Sequence, residues 1–136
     1  MTVLAHEVGH KIGPEISKAN GHDLRKDWAS LVDCYKSSDS IRMTDGQEDE
    51  TIADYISSEV IAKFLNNIEP AKRKDFLSKA IRPYCVFSSG FDTSISEGHP
   101  ESIYRVEGIF GASKSLRDAI GCTQPNPAYQ TCSLNK

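Results

Sequence analysis

Apolar residues along this chain recur at helical spacing far more often than they alternate, and the pattern predicts a mainly α fold with little or no sheet. From Met1 to Ile12, Val3, Leu4, Val8 and Ile12 fall largely along one side of a short helix, which Gly13 and Pro14 end. Gly21 to Asp23 supply turn and capping residues, after which Leu24, Trp28, Leu31, Val32 and Tyr35 form the cleanest amphipathic stripe. That stripe reads as core, with Trp28 a packing residue and not a ligand platform. The polar run KSSDSIRMTDGQ closes on the turn signal Asp45–Gly46. A second long helix is predicted from Glu48 to Asn66, with Ile52, Ile56, Val60 and Phe64 advancing by four. Pro70 suits the first turn of a third helix, which carries Phe76, Leu77, Ala80 and Ile81 to a stop at Pro83. Residues 84–111 mix aromatics with Ser and Gly and read as a long irregular segment, a feature usually tied to function in a compact domain. A last short helix is predicted near Ser113 to Ile120, ahead of a Pro-rich tail.

Composition narrows the partners. A chain of 136 residues suits one domain with one core. Its net charge of -3 is the wrong sign for the basic field that phosphate backbones require, so nucleic acid is not an expected partner. No stretch approaches the roughly 20 apolar residues that span a bilayer, so no membrane segment is expected in this chain. Oligomeric state is not encoded legibly. Cys34, Cys85, Cys122 and Cys132 lack the C-x-x-C pairing of a zinc knuckle or redox motif, which leaves disulfides or buried thiols. Cys122 and Cys132 flank TQPNPAYQT, where packing is sparse and a covalent tie would help most; this favours an oxidising compartment.

The chemistry concentrates in two short segments. His6-Glu7-Val8-Gly9-His10 is an H-E-x-x-H motif, in which residues four apart project from one helix face and can bring two imidazoles to one ion. Glu7 points roughly 100° around the helix, where it can reach a water beside that ion without ligating it, the geometry of a general base. Taken alone, the pair could be two solvated surface histidines. Catalytic zinc usually takes three protein ligands and leaves the fourth position to water. In Glu50-Thr-Ile-Ala-Asp54 the predicted second helix carries two carboxylates one turn apart, with Ala53 and Ser57 as small neighbours that let helices approach. Glu50 is the expected third ligand. Asp54 would accept the free N–H of a ligand histidine, His6 being the candidate. The bland alternative, a solvated acidic helix start in Gln47–Glu50, gives way because H-E-x-x-H lies upstream.

These motifs, together with the Asp33–Tyr35 DCY, the ETIAD segment, HPESIYRVEGIFGASKSLRDAIGC and the closing Cys132, resemble the C-terminal catalytic segment of the neprilysin and endothelin-converting-enzyme metallopeptidases. The likeness covers nearly the whole chain. It implies a zincin-type helical catalytic subdomain, zinc as cofactor, peptide substrates and an extracellular, periplasmic or ectodomain setting. It further implies that His99 stabilises the oxyanion of the transition state, that Arg105 holds a substrate backbone carbonyl, and that Cys34 bonds to Cys132. The family's partners for the positions of Cys85 and Cys122 would lie upstream, so these two are expected to pair with each other. Family members carry a substrate-aligning edge strand and a large helical domain ahead of this segment, so residues 1–136 read as the catalytic C-terminal piece of a larger peptidase. Two departures stand out: the connection from His10 to Glu50 is shorter than usual, and Glu97 stands where Asp is typical. The rival readings are a zinc-binding piece without catalysis, and a zincin of another family in which the Glu50 match is coincidental.

Overall fold

The computed structural model describes residues 2–13, 18, 25–38, 43, 46–86, 98–122, 124 and 131–134. Of the described residues 76% are helical and none lies in a strand, so the fold is mainly α. The elements in chain order are α1 (Thr2–Ile12), α2 (Arg25–Lys36), α3 (Glu48–Asn66), α4 (Pro70–Val86), a single turn α5 (Ser102–Tyr104) that runs into a π-helical segment (Arg105–Gly111), and α6 (Lys114–Ala119).

Helix α3 is the axis of the fold. Every residue from Thr51 to Ser58 is buried, so this stretch has neighbours on all sides. Its polar side chains are satisfied locally: Thr51 Oγ1 donates to Gln47 O (2.9 Å), Ser58 Oγ to Tyr55 O (2.7 Å), and Ser57 Oγ across to Thr2 O of α1 (3.2 Å). Around the N-terminal half of α3, Ile52, Tyr55 and Ile56 pack with Trp28, Leu31 and Tyr35 of α2 and with Ile109. Around its C-terminal half, Ile61, Ala62 and Leu65 pack with Tyr84, Phe110 and Leu116. Ile109 and Phe110, adjacent in the π-helical segment, thus each serve a different cluster.

The stripe that advances by four on α3 reaches the core only at its start. Ile52 and Ile56 are buried, whereas Val60 and Phe64 are each 42% exposed. Each step of four residues overshoots a full turn by about 40°, so the stripe rotates off the core and Ile61, Ala62 and Leu65 take its place. Helix α1 departs further from the usual amphipathic rule: Val3, Leu4, Val8 and Ile12 are exposed, and the buried side is made of Thr2, Ala5, His6 and Gly9.

Two further expectations are corrected. Helix α4 does not stop at Pro83 but continues to Val86. Proline removes one backbone donor from that turn, and Thr2 Oγ1 of α1 donates to the carbonyl of Ala80 just before it, so a neighbouring helix holds the weakened stretch in place. The span expected to be irregular from 84 to 111 is helical at 84–86 and 102–111, while 87–97 fall outside the described residues. Helix α6 forms where expected, because Ser113 caps it by accepting from the Leu116 N–H (3.2 Å).

Cys34 and Cys132 are disulfide-bonded, their Cα atoms 5.8 Å apart. Cys122 carries a free, exposed thiol, so the expected Cys85–Cys122 bond is absent. The Cys122 N–H donates to Arg117 O (2.8 Å), which sets its backbone in the turn closing α6 and leaves the side chain facing outward. The side chain of Cys85 lies outside the described residues.

Candidate metal centre

Close approach of two backbones creates the site. A Cβ built on Gly9 would lie 2.8 Å from Ala53 Cα, so only glycine lets α1 lie this near α3. At that separation His6 and His10 on α1 reach Glu50 and Asp54 on α3. His6 Nε2 is 3.1 Å from Glu50 Oε2, His10 Nε2 is 3.3 Å from Glu50 Oε1, and the two Nε2 atoms are 3.1 Å apart. The rings meet edge to face with centroids 4.6 Å apart.

Asp54 is fully buried and organises what surrounds it. Its carboxylate lies 2.8 Å from His6 Nδ1. An ionised carboxylate only accepts, so Nδ1 donates, and Nε2 is the nitrogen turned toward His10 and Glu50. Arg105 grips the same carboxylate through two hydrogen bonds, Nε to Oδ2 (2.6 Å) and Nη2 to Oδ1 (2.9 Å). Its guanidinium lies 4.5 Å from the centroid of the Tyr84 ring. The Tyr84 hydroxyl also donates to Asp54 Oδ1 (3.3 Å).

These contacts set the charge states. Burial works to raise the Asp54 pKa, but the Arg105 and His6 hydrogen bonds outweigh it and hold the carboxyl below its ordinary value. At Glu50, too, burial is outweighed, here by His6, His99 and His10, and the carboxylate stays ionised. Burial disfavours a charge on His6, yet the hydrogen bond to Asp54 and the close Glu50 carboxylate raise its pKa to about 9.

The donor set fits a zinc-like divalent ion: two imidazoles and one carboxylate from two rigid helices. An orphaned atom gives the structural test of that fit. Glu50 Oε2 is buried and has no aligned hydrogen bond, although His6 Nε2 stands 3.1 Å away. A cation held between them would satisfy both atoms, as it does the ligands of one ion. A lone buried carboxylate oxygen is otherwise costly.

The other expected residues gather at the same place. Glu7, exposed on α1, lines an open cleft beside the ligands together with Val3, Pro83, Tyr84, His99 and Arg105. His99 Nε2 is 2.8 Å from Glu50 Oε2. Arg105 faces the cleft while bonded to Asp54. The donor atoms of His6, Glu50 and His99 lie within 4.8 Å of one another, His10 contacts both His6 and Glu50, Asp54 joins His6 to Arg105, and Glu7 lines the adjoining cleft. Glu97 lies outside the described residues.

Two contributors escape sequence reasoning. Tyr84 falls in a segment read as irregular, although an aromatic just past Pro83 was the available signal. Gln47 donates from Nε2 to His99 O (3.0 Å) and so ties the His99 backbone to the start of α3; nothing in its acidic surroundings marks it. Comparisons with protein-family models, with curated proteins and with solved structures find no match.

Proposed function

We propose that this chain is a zinc-dependent peptidase of the gluzincin type, with His6, His10 and Glu50 as metal ligands and Glu7 as general base. The observation that carries the reading is the convergence of an H-E-x-x-H helix on Glu50, whose buried Oε2 has close imidazole neighbours but no aligned hydrogen bond. The sequence resemblance to the neprilysin and endothelin-converting-enzyme peptidases supports the same reading.

Zinc in this donor set would polarise a peptide carbonyl and lower the pKa of a neighbouring water toward about 7. Glu7 takes the proton from the attacking water and passes it to the leaving amine as the C–N bond breaks. His99 donates to the oxygen that becomes negative as the carbonyl carbon turns tetrahedral. Arg105 keeps two of its N–H groups on Asp54 and offers the cleft edge of its guanidinium to a substrate carbonyl. Asp54 acts at one remove, holding both His6 and Arg105. The disulfide fits an extracellular, periplasmic or ectodomain setting, and among the described residues no helix is long and apolar enough to cross a membrane.

Replacing Glu7 with Gln is expected to abolish cleavage of a fluorogenic peptide while zinc remains bound at one equivalent. Retained turnover in that variant removes the mechanism. A second reading, zinc binding without catalysis, draws support from the exposed apolar side of α1, the helix that carries the motif. Stoichiometric zinc in the unmodified chain without peptide cleavage selects it.

A further inference from the structure

We propose that Gln47 is a positioning residue for the reaction: its side-chain amide fixes the backbone of His99 against the start of α3, so that the His99 ring and the Glu50 carboxylate are presented from one rigid frame. This rests on the peptidase reading above, in which His99 donates to the developing oxyanion and Glu50 binds the metal. A carbonyl only accepts, so the Gln47 amide donates from Nε2 to His99 O, at 3.0 Å and across a sequence separation of 52.

Gln47 stands just before α3, where side chains ordinarily serve the helix itself. Ser, Thr, Asn and Asp are favoured there because a short side chain can accept from the exposed N–H groups of the first turn. Gln47 makes no such cap bond. Its backbone carbonyl accepts from Thr51 twice, from the N–H (3.0 Å) and from Oγ1 (2.9 Å), which anchors the residue to the first turn. Its amide reaches a different segment, and the residue is buried although glutamine is mostly exposed in folded proteins.

The other end of the contact is constrained as well. His99 precedes Pro100, which is buried, and a residue before proline is pushed toward extended backbone. With those dihedrals restricted and its carbonyl held by Gln47, the ring keeps only its own side-chain torsions. In that setting His99 Nε2 stands 2.8 Å from Glu50 Oε2, on the helix that Gln47 opens. The His99 side chain is 38% exposed, so packing contributes little to its placement and the backbone tie contributes more. Misplacing a catalytic group by about 1 Å can cost about 100-fold in rate, so a hydrogen bond away from the reacting atoms can be read in kcat.

Peptide hydrolysis by the zinc-loaded full chain tests this, with the unmodified protein, Gln47→Met, His99→Ala and the variant carrying both changes compared at matched helical circular dichroism. Methionine keeps the length of the side chain and removes the donor. Gln47→Met is expected to lower kcat by at least about 10-fold, short of the about 100–1,000-fold expected for removing the oxyanion donor in His99→Ala. KM and zinc affinity are expected to stay within about 2-fold. Because Gln47 acts through His99, the double variant is expected to be no slower than His99→Ala alone, whereas a merely structural role would multiply the two losses. Unchanged kcat in folded Gln47→Met, or multiplied losses in the double variant, overturns the proposal. If Gln47→Met does not fold, Gln47→Glu replaces it, since an ionised carboxylate has no N–H to donate. A second readout needs neither metal nor turnover. In long-range proton–nitrogen spectra of the metal-free chain, the His99 ring signals are expected to move or broaden in Gln47→Met while the His6 nitrogen bonded to Asp54 keeps its signal; unmoved His99 signals overturn the proposal. Zinc-loaded unmodified chain that cleaves no peptide removes the peptidase reading instead, and the ring spectra then decide alone whether Gln47 holds His99.

Discussion

Asp54 shows how much one residue can set. It has no solvent exposure, yet it carries a negative charge because Arg105, His6 and Tyr84 all donate to it. Removing Arg105 would break the buried ion pair, a loss on the order of 3–5 kcal/mol, while His6 and Tyr84 would remain as donors. Tyr84 belongs to this network and is protected by it. Burial first, then the negative charge of Asp54, push the Tyr84 phenol above its ordinary pKa. Tyr35 is shifted the same way, by burial and then by Tyr55 and Asp54. A group whose folded pKa is raised contributes stability below its unfolded value, near 10 for tyrosine, and loses it as pH climbs through the folded value. We therefore expect the protein to weaken above about pH 10, with Tyr35 and Tyr84 ionising only as helix is lost. Tyrosinate absorbance followed alongside circular dichroism checks this; ionisation of all five tyrosines with helicity intact contradicts it.

At the scale of elements, the crossing of α1 and α3 controls the site. In an ordinary helix interior, alanine is favoured over glycine by about 1 kcal/mol. At Gly9 the added methyl would meet the Ala53 backbone at 2.8 Å, and overpacking of this kind costs about 1–3 kcal/mol. The steric cost exceeds the propensity gain, so Gly9→Ala is expected to lower the urea midpoint and, by separating His10 from Glu50, to weaken zinc binding. A stabilised variant with unchanged zinc affinity would show that the crossing is looser than described. Much of this level was legible beforehand. The α3 boundaries follow from the Asp45–Gly46 turn and the long apolar run, and the buried face of α2 follows from Trp28, Leu31 and Tyr35. What escaped was tertiary. Helix α4 continues through Pro83 where Thr2 of a neighbouring helix contacts it, and in the π-helical turn at Arg105–Gly111 the adjacent Ile109 and Phe110 pack into different clusters. The exposed side of α1 was hidden by its own periodicity, which marks an apolar side without saying what covers it.

For the whole molecule, the site joins the first helix, the central helix α3 and the segment from His99 to Arg105. The Cys34–Cys132 bond spans a sequence separation of 98 and ties the C-terminal segment to α2; closing a loop of that size stabilises a fold by roughly 4–5 kcal/mol in the chain-entropy account. Residues 6–10, 50–54, 99 and 105 then converge although they are scattered along the chain. Their types and local spacings could be read from sequence, since i and i+4 on a helix share a face whatever the fold. Their mutual distances could not, because those depend on Gly9 meeting Ala53 and on Gln47 holding His99. The most direct test of the account is an anomalous-difference map at the zinc edge, from crystals of the full chain grown with zinc. The account predicts a single strong peak about 2.0–2.2 Å from His6 Nε2, His10 Nε2 and a Glu50 carboxylate oxygen. No peak among these residues in the folded protein, or a peak beyond coordinating reach of Glu50, would contradict it.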